Sequence, residues 1–125
     1  MINSRQKGAR AEREVAKILR EAGFPEARRG VQYSGLTGQA DVVGLPGVHL
    51  EIKHVERLNL YDAWEQSCRD SQGMEVPWVV HRKNNKPWLC TMSFEEALLL
   101  YRLAGLDDGD ISERTNVLLD GQKNS

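Results

Sequence analysis

Three residues in two short apolar segments have the types and spacing that could hold a divalent cation. Asp41 stands before the valine pair 42–43, while Glu51 and Lys53 lie two positions apart in the segment 48–55. Side chains alternate between the two faces of a strand, so Glu51 and Lys53 should share one face, about 7 Å apart. A carboxylate and an ammonium within an otherwise apolar strand are unfavourable unless they are paired or used. This strand is therefore the first candidate for chemistry.

The connection between the two segments decides whether Asp41 meets Glu51. A two-residue turn at Pro46-Gly47 would pair residue 41 with residue 52 and send Asp41 to the wrong face. An odd-length connection, or a bulge near a glycine, would pair 41 with 51, and we predict this register. Two carboxylates in contact repel each other without a cation, and Mg²⁺ takes carboxylates, waters and phosphate oxygens as ligands. In isolation, the same residues also fit an ordinary Glu–Lys pair and a turn aspartate.

The elements that must position these residues follow from hydrophobic periodicity, caps and turn signals. Their order is α-β-β-β-α-β-β-α, which predicts an α/β fold with a mixed central sheet flanked by helices. The predicted helices span 4–22, 60–71 and a third segment from the capping box 93–96 to Gly105, and the predicted strands are 27–33, 40–45, 48–55, 76–81 and 88–92. We assign residues 1–105 to one domain and 106–125 to an acidic C-terminal tail.

The first predicted helix carries a candidate acid beside a basic stripe. Its apolar residues recur at helical spacing and define one buried face. At about 100° per residue, Glu12 falls about 20° from Leu19, on the border of that face. Four basic residues lie within about 80° of one another on the opposite side: Arg10, Arg13, Lys17 and Arg20. Such a stripe fits either a solvated helix face or a surface that follows phosphates.

Length and composition narrow the class of protein further. The chain has 125 residues, 40% of them hydrophobic, with 17 basic and 18 acidic side chains. This length fits one domain, no apolar run reaches the roughly 20 residues of a membrane span, and the first residues lack the apolar stretch of a signal peptide. The two cysteines and three scattered histidines offer neither a disulfide framework nor a zinc motif. We expect a cytoplasmic protein that does not enter a membrane.

Several motifs are similar to those of one family. They are the helical segment 7–14 (KGARAERE), the Gly23-Phe24 pair, the arginine pair 28–29, the segment 40–43 (ADVV) and the segment 50–53 (LEIK). Over residues 7–82 the chain resembles the archaeal Holliday-junction resolvases of the PD-(D/E)XK nuclease superfamily, and similar short proteins occur in phages. The resemblance implies a restriction-endonuclease-like α/β/α core. Ala40 stands where the family usually has proline.

The resemblance implies a role for each matching residue. Asp41, Glu51 and the backbone carbonyl of Ile52 would ligate Mg²⁺ or Mn²⁺, with Glu12 facing the same site. Lys53 would orient or deprotonate the attacking water, so that the catalytic set is Glu12, Asp41, Glu51 and Lys53. The residues expected to contact DNA are Arg10, Arg13, Arg28, Arg29, Ser34 and His54. Of the arginine pair, the first is favoured for phosphate by its spacing from the preceding phenylalanine.

The function expected from this resemblance is hydrolysis of phosphodiester bonds in branched DNA. We expect a metal-dependent, structure-selective endonuclease that acts on four-way junctions in DNA recombination, as a homodimer. A less selective nuclease of the same superfamily is an alternative, and so is a catalytically idle nuclease fold that only binds DNA. The joint presence of Glu12, Asp41, Glu51 and Lys53 argues against the idle fold, because a binding module has no need of a cation site.

Overall fold

The computed structural model of the chain describes residues 4–30 and 40–107. Contacts divide the chain into two units, Met1–Met92 and Ser93–Ser125. The elements are α1 (Ser4–Glu21), β1 (Arg28–Arg29), β2 (Val42–Val43), β3 (Val48–His54), α2 (Leu60–Ser71), β4 (Val76–Arg82), β5 (Leu89–Thr91) and α3 (Phe94–Leu103). Their order is the predicted one, and all but α3 belong to the first unit.

The described strands form one mixed sheet in the order β1-β2-β3-β4-β5. The pairs β1/β2, β2/β3 and β4/β5 are antiparallel, whereas β3 and β4 run parallel through the crossover helix α2. β3 therefore lies at the centre of the sheet, and four of its seven residues are buried. The predicted α/β class with a mixed central sheet is confirmed.

The apolar stripe of α1 packs against the central strands. Ala11, Val15 and Ala16 of the helix are buried in one cluster with Val42, Leu50 and Ile52. Each fully buried aliphatic side chain larger than alanine contributes about 1.5–3 kcal/mol to stability. Because Leu50 and Ile52 face α1, the alternating residues of β3 face α2, whose small residue Ser67 is fully buried. The helices thus cover opposite faces of β3.

The connection between β2 and β3 sets the register on which the candidate site depends. Val42 lies opposite Leu50, so residue 41 faces residue 51, and the Asp41 N–H donates to the Leu50 carbonyl at 3.0 Å. The predicted register is confirmed. Two glycines with left-handed backbone angles shape the connection, Gly44 at φ 101° and Gly47 at φ 83°. β2 is shorter than the predicted 40–45, because the chain bends at Gly44 instead of continuing as a strand.

The bounds of α2 agree with the prediction because its ends are determined locally. The side chain of Asn59 accepts a hydrogen bond from the Asp62 N–H at 3.1 Å and caps the first turn. At the other end Gln72 adopts a left-handed conformation, φ 54°, and Gly73 follows it at φ 72°. Within the described parts of the chain, no helix is long and apolar enough to cross a membrane.

The strand β1 and the helix α3 differ in length from their predictions. Of the predicted 27–33, the strand keeps Arg28–Arg29, and residues 31–33 lie outside the described residues. In the second unit, Ser93 accepts a hydrogen bond from the Glu96 N–H at 3.1 Å, which confirms the predicted N-cap. The last residue of α3 is Leu103, two positions before Gly105.

Candidate active site

The centre of the candidate site is the α2-facing side of β3. This side carries His49 and Glu51, both buried, followed by Lys53. The ammonium of Lys53 donates a hydrogen bond to Oε1 of Gln66 on α2, with an Nζ–Oε1 distance of 3.4 Å. Gln66 of α2 therefore holds the side chain of Lys53, which follows the buried residues His49 and Glu51 along β3.

Asp41 is fixed to β3 by its own side chain. Its Oδ2 accepts a hydrogen bond from the backbone N–H of Ile52 at 2.8 Å. On the side of β1, the N–H of Gly30, the residue that follows this strand, donates a hydrogen bond to the Asp41 carbonyl at 2.9 Å. A Cβ at Gly30 would collide with the Ala40 carbonyl, so this close approach requires glycine. The carboxylate of Asp41 is thereby held across the backbone that carries Glu51 and Lys53.

Glu12 of α1 joins the same group of carboxylates. Burial raises the pKa of Glu12, the hydrogen bond from Arg29 opposes this, and the charge of Asp41 raises it further. The Nε of Arg29 lies 3.1 Å from Oε1 of Glu12. The partial burial of Glu12 agrees with its predicted place at the border of the apolar face. The charge interaction with Asp41 therefore links Glu12, on α1, to the strands that carry the candidate site.

The pKa of Glu51 is raised for the same reasons as the pKa of Glu12. Burial raises the pKa of its carboxyl, the hydrogen bond from His49 opposes this, and the charge of Asp41 raises it further. Like-charged carboxylates in a buried place are unfavourable alone and become favourable around a cation. The oxygen donors of Glu12, Asp41 and Glu51 are of the kind that Mg²⁺ and Mn²⁺ prefer. The donor set therefore fits a hard divalent cation.

A second set of potential ligands overlaps with Glu51. Ligand atoms of His49, Glu51 and Asp70 all lie within 4.8 Å of one another. His49 Nε2 and Glu51 Oε1 are 2.9 Å apart, with exposures of 0% and 1% for the two residues. Because side chains alternate along a strand, the sequence already predicts that His49 and Glu51 lie on the same face. Nothing in the sequence marks Asp70, because its approach depends on how α2 lies over the sheet.

The four arginines predicted to contact DNA lie on α1 and β1. Arg10 and Arg13 are exposed on α1, and Arg13 is close enough to Glu12 for its charge to oppose the rise in that pKa. Arg28 donates to the Glu26 carbonyl at 3.1 Å, so it is Arg29 that contacts the acidic group.

The two remaining residues predicted to contact DNA are His54 and Ser34. The Nε2 of His54 lies 2.9 Å from the Asn84 side-chain oxygen, and its ring meets the edge of Trp88. Ser34 lies outside the described residues. Beside Lys53 a groove of about 560 Å³ opens along α2, lined by Arg57, Gln66 and Arg69 among others.

Similarity to a solved structure defines the class of protein. The chain is similar to Hjc of Archaeoglobus fulgidus, a Holliday junction resolvase from an archaeal hyperthermophile, with 28% identity and a TM-score of 0.51. The similarity covers 66% of this chain and 73% of that chain. Together with the site on β3, it confirms the restriction-endonuclease-like fold and the resemblance to PD-(D/E)XK resolvases.

The family of the chain follows from its sequence as a whole. Residues 3–106 match the family described as "Phage putative PDDEXK endonuclease", and the chain belongs to this family. No curated protein matches the chain. The chain is therefore a nuclease of the PD-(D/E)XK type.

Proposed function

We propose that the protein is a Mg²⁺- or Mn²⁺-dependent endonuclease that cuts branched DNA, with the four-way junction as its substrate. The observation that carries the proposal is the fixed position of Asp41, whose Oδ2 accepts the Ile52 N–H at 2.8 Å. This bond and the register hold Asp41 beside the central strand that carries Glu51 and Lys53, which supports the proposed site. Similarity to a Holliday junction resolvase supports the choice of substrate.

The acidic residues and one carbonyl form the proposed cation site. Asp41, Glu51, Glu12 and the backbone carbonyl of Ile52 would hold the ion. When bound, a divalent cation lowers the pKa of water and neutralises charge that develops on phosphate. Arg29 neutralises part of the charge of Glu12 at the edge of this site. We propose that it turns to a phosphate oxygen when DNA approaches, since guanidinium binds phosphate through paired donors.

Lys53 acts on the water and the phosphate. An ammonium has three donors and no lone pair, so Lys53 cannot compete with the carboxylates as a ligand. Its Nζ is held by Gln66 at 3.4 Å, which leaves further N–H groups for the attacking water and a phosphate oxygen. We assign Lys53 the role of orienting the water and stabilising the negative charge of the transition state.

The DNA contacts are proposed to be with phosphates rather than bases. Exposed arginines can follow the backbone without reading sequence, which suits an enzyme that recognises a branch. Arg10, Arg13, Arg28 and Arg29 are all exposed in the structure. Ser34 and His54 complete the proposed set. Two copies of the chain acting as a homodimer would place two such sites on opposite strands of a junction in DNA recombination. The proposed location is the cytoplasm of a bacterial or archaeal cell, or of a phage-infected host cell.

The test is cleavage of a labelled four-way junction and of a matched linear duplex, each with Mg²⁺, Mn²⁺ or EDTA. Asp41→Asn and Glu51→Gln remove one proposed ligand each. The matched control is Glu21→Gln, which removes an exposed carboxylate at the end of α1. We expect paired nicks in the junction for the wild type and Glu21→Gln, and none with EDTA or in the ligand variants.

The other outcomes separate the alternatives. Equal cutting of junction and duplex would indicate a less selective nuclease. Salt-sensitive DNA binding by folded protein without cutting in either metal would indicate an idle binding fold. A monomer that makes paired nicks would contradict the homodimer.

A further inference from the structure

We propose that His49 is a positioning residue that holds the carboxylate of Glu51 in the orientation in which it binds the cation. The proposal rests on the proposed function of Glu51 as a metal ligand. Its geometric basis is the hydrogen bond between His49 Nε2 and Glu51 Oε1, 2.9 Å long, between two side chains that solvent hardly reaches. The bond occupies one oxygen of Glu51 and leaves Oε2 as the ligand.

The direction of this hydrogen bond follows from the chemistry of its partners. An ionised carboxylate only accepts hydrogen bonds, so the proton lies on Nε2 of the imidazole. The other ring nitrogen, Nδ1, is buried without a hydrogen-bond partner among the described residues. Oε1 of Glu75 lies 3.8 Å from Nδ1, which is beyond hydrogen-bond length. Within the part of the chain that the structure describes, the ring is therefore hydrogen-bonded through the nitrogen that contacts Glu51.

A buried glutamate needs such a partner for physical reasons. The side chain of Glu51 has three rotatable bonds, and the negative charge of Asp41 beside it favours rotation away from the site. A hydrogen bond from the neighbouring same-face position opposes this rotation. Residues that orient ligating side chains in this way affect metal affinity or activity by about 10–100-fold when they are lost.

The arrangement around His49 fits an orienting role better than a second cation site. The residue lies under α2, where Ser67 is fully buried and gives its hydroxyl proton to the Trp78 carbonyl. The ligand atoms of His49, Glu51 and Asp70 are near one another. However, the 2.9 Å separation of Nε2 and Oε1 is that of a hydrogen bond with its proton in place. A cation shared by these atoms would have to replace that proton.

Two amide substitutions test the proposal on the full chain. In His49→Gln the side-chain amide can reach the place of Nε2 and donate to Glu51, whereas in His49→Asn the shorter amide reaches only the place of Nδ1. Mn²⁺ affinity is measured by calorimetry without DNA, and cleavage is measured over a range of Mn²⁺ concentrations. We expect His49→Asn to bind Mn²⁺ about 10–100-fold more weakly and to need correspondingly more Mn²⁺ for half-maximal cleavage. His49→Gln should recover most of the affinity.

Two further variants make each outcome decisive. If Asp41→Asn abolishes Mn²⁺ binding while both His49 variants bind as the wild type does, the positioning role is wrong and the proposed function stands. If Asp41→Asn binds Mn²⁺ normally, the proposed function itself fails. A loss of affinity in Asp70→Asn equal to that in His49→Asn would replace the positioning role by a cation site of His49, Glu51 and Asp70. Circular dichroism and the unfolding temperature establish that each variant is folded.

Discussion

At the scale of single residues, the protein places several ionisable side chains where burial changes their protonation. His81 on β4 lies beside Lys53 across the parallel pair, and its Nε2 is 2.9 Å from Oγ1 of Thr91. Burial lowers the pKa of His81 below its usual value of 6.5. Its neutral form is therefore the one that the fold prefers, which gives stability a dependence on pH.

The substitution His81→Gln tests the direction in which stability depends on pH. Above pH 6.5 the imidazole is neutral in both states; below it, the unfolded chain takes up the proton more readily, so the contribution of His81 to stability is lost as pH falls. We expect the wild type to lose more free energy of unfolding than His81→Gln between about pH 7.5 and about pH 5. Urea denaturation at each pH measures this difference. A constant difference across the range would contradict the prediction.

The residues of the site differ in how far the sequence predicts them. Asp41, Glu51 and Lys53 could be placed because strand period and register are geometric rules that short segments obey. The pairing of His49 with Glu51 follows the same period, but whether a strand histidine is buried depends on the helix that covers it. The contact of Arg29 with Glu12 could not be predicted, because it requires the position of β1 relative to α1.

At the scale of elements, the turn between β2 and β3 determines the register of the site. Gly44 and Gly47 both have left-handed backbone angles, but their surroundings differ. A Cβ at Gly44 would lie 2.5 Å from the Cα of Ala27, while one at Gly47 would have nothing within 4 Å. A side chain at Gly44 would therefore meet both an unfavourable backbone conformation and the segment before β1, whereas one at Gly47 would meet only the unfavourable conformation.

The two glycines form a matched pair for measuring this difference. We expect Gly47→Ala to lower the free energy of unfolding by about 1–2 kcal/mol, the cost of the left-handed conformation. Gly44→Ala should cost about 1–3 kcal/mol more, because the backbone around Ala27 must also shift. Urea unfolding curves give both values. Equal losses in the two variants would mean that the contact with Ala27 relaxes without cost.

One carboxylate of α1 connects that helix to β4 and to the residue before β5. Oε1 of Glu14 accepts hydrogen bonds from Arg82 Nη1 at 2.9 Å and from Trp88 Nε1 at 2.8 Å. The guanidinium of Arg82 also lies over the Trp88 ring, 5.6 Å from its centre. One oxygen atom therefore joins α1, β4 and the segment before β5.

Removal of this acceptor should destabilise the unit of residues 1–92. We expect Glu14→Ala to lower the free energy of unfolding by about 1–3 kcal/mol, since two donors lose their partner. Glu14→Gln keeps a side-chain oxygen and should lose less stability. Glu21→Ala, which removes an exposed carboxylate from the same helix, should have little effect. Chemical denaturation measures the series. A loss in Glu21→Ala as large as in Glu14→Ala would show that helix charge, and not the shared acceptor, is responsible.

The elements themselves were predictable to the extent that local signals determine them. The caps at Asn59 and Ser93 are chosen by side chains within three residues, so the starts of α2 and α3 follow from the sequence. The two short strands on one side of the sheet, β1 and β2, have no such signal. β1 and β2 are limited by where their partners run, and each is two residues long in the structure.

At the scale of the whole molecule, the order of elements was predictable and the order of strands was not. Alternation of helical and extended patterns gives the chain order α-β-β-β-α-β-β-α and an α/β class. The parallel pairing of β3 with β4 depends on a crossover through α2, which packs on the sheet through small buried residues. The division of the chain into residues 1–105 and 106–125 remains a prediction.

The stability of the molecule should be linked to its cation through the charges of the site, and Asp41→Asn tests this link. In EDTA the negative charge of Asp41 is unfavourable to the carboxylates of Glu12 and Glu51, whose pKa values are raised mainly by burial and further by that charge. An asparagine keeps an oxygen that can accept the Ile52 N–H but removes the charge. We therefore expect Asp41→Asn to unfold at the same or a higher temperature than the wild type in EDTA. With Mn²⁺ at about 100 times its dissociation constant, the wild type should gain about 2.7 kcal/mol and the variant little, so that the wild type becomes the more stable of the two. Thermal unfolding in EDTA and in Mn²⁺ measures both states, with Glu21→Gln expected to follow the wild type. Equal stabilisation of Asp41→Asn and the wild type by Mn²⁺ would place the bound ion somewhere other than at Asp41.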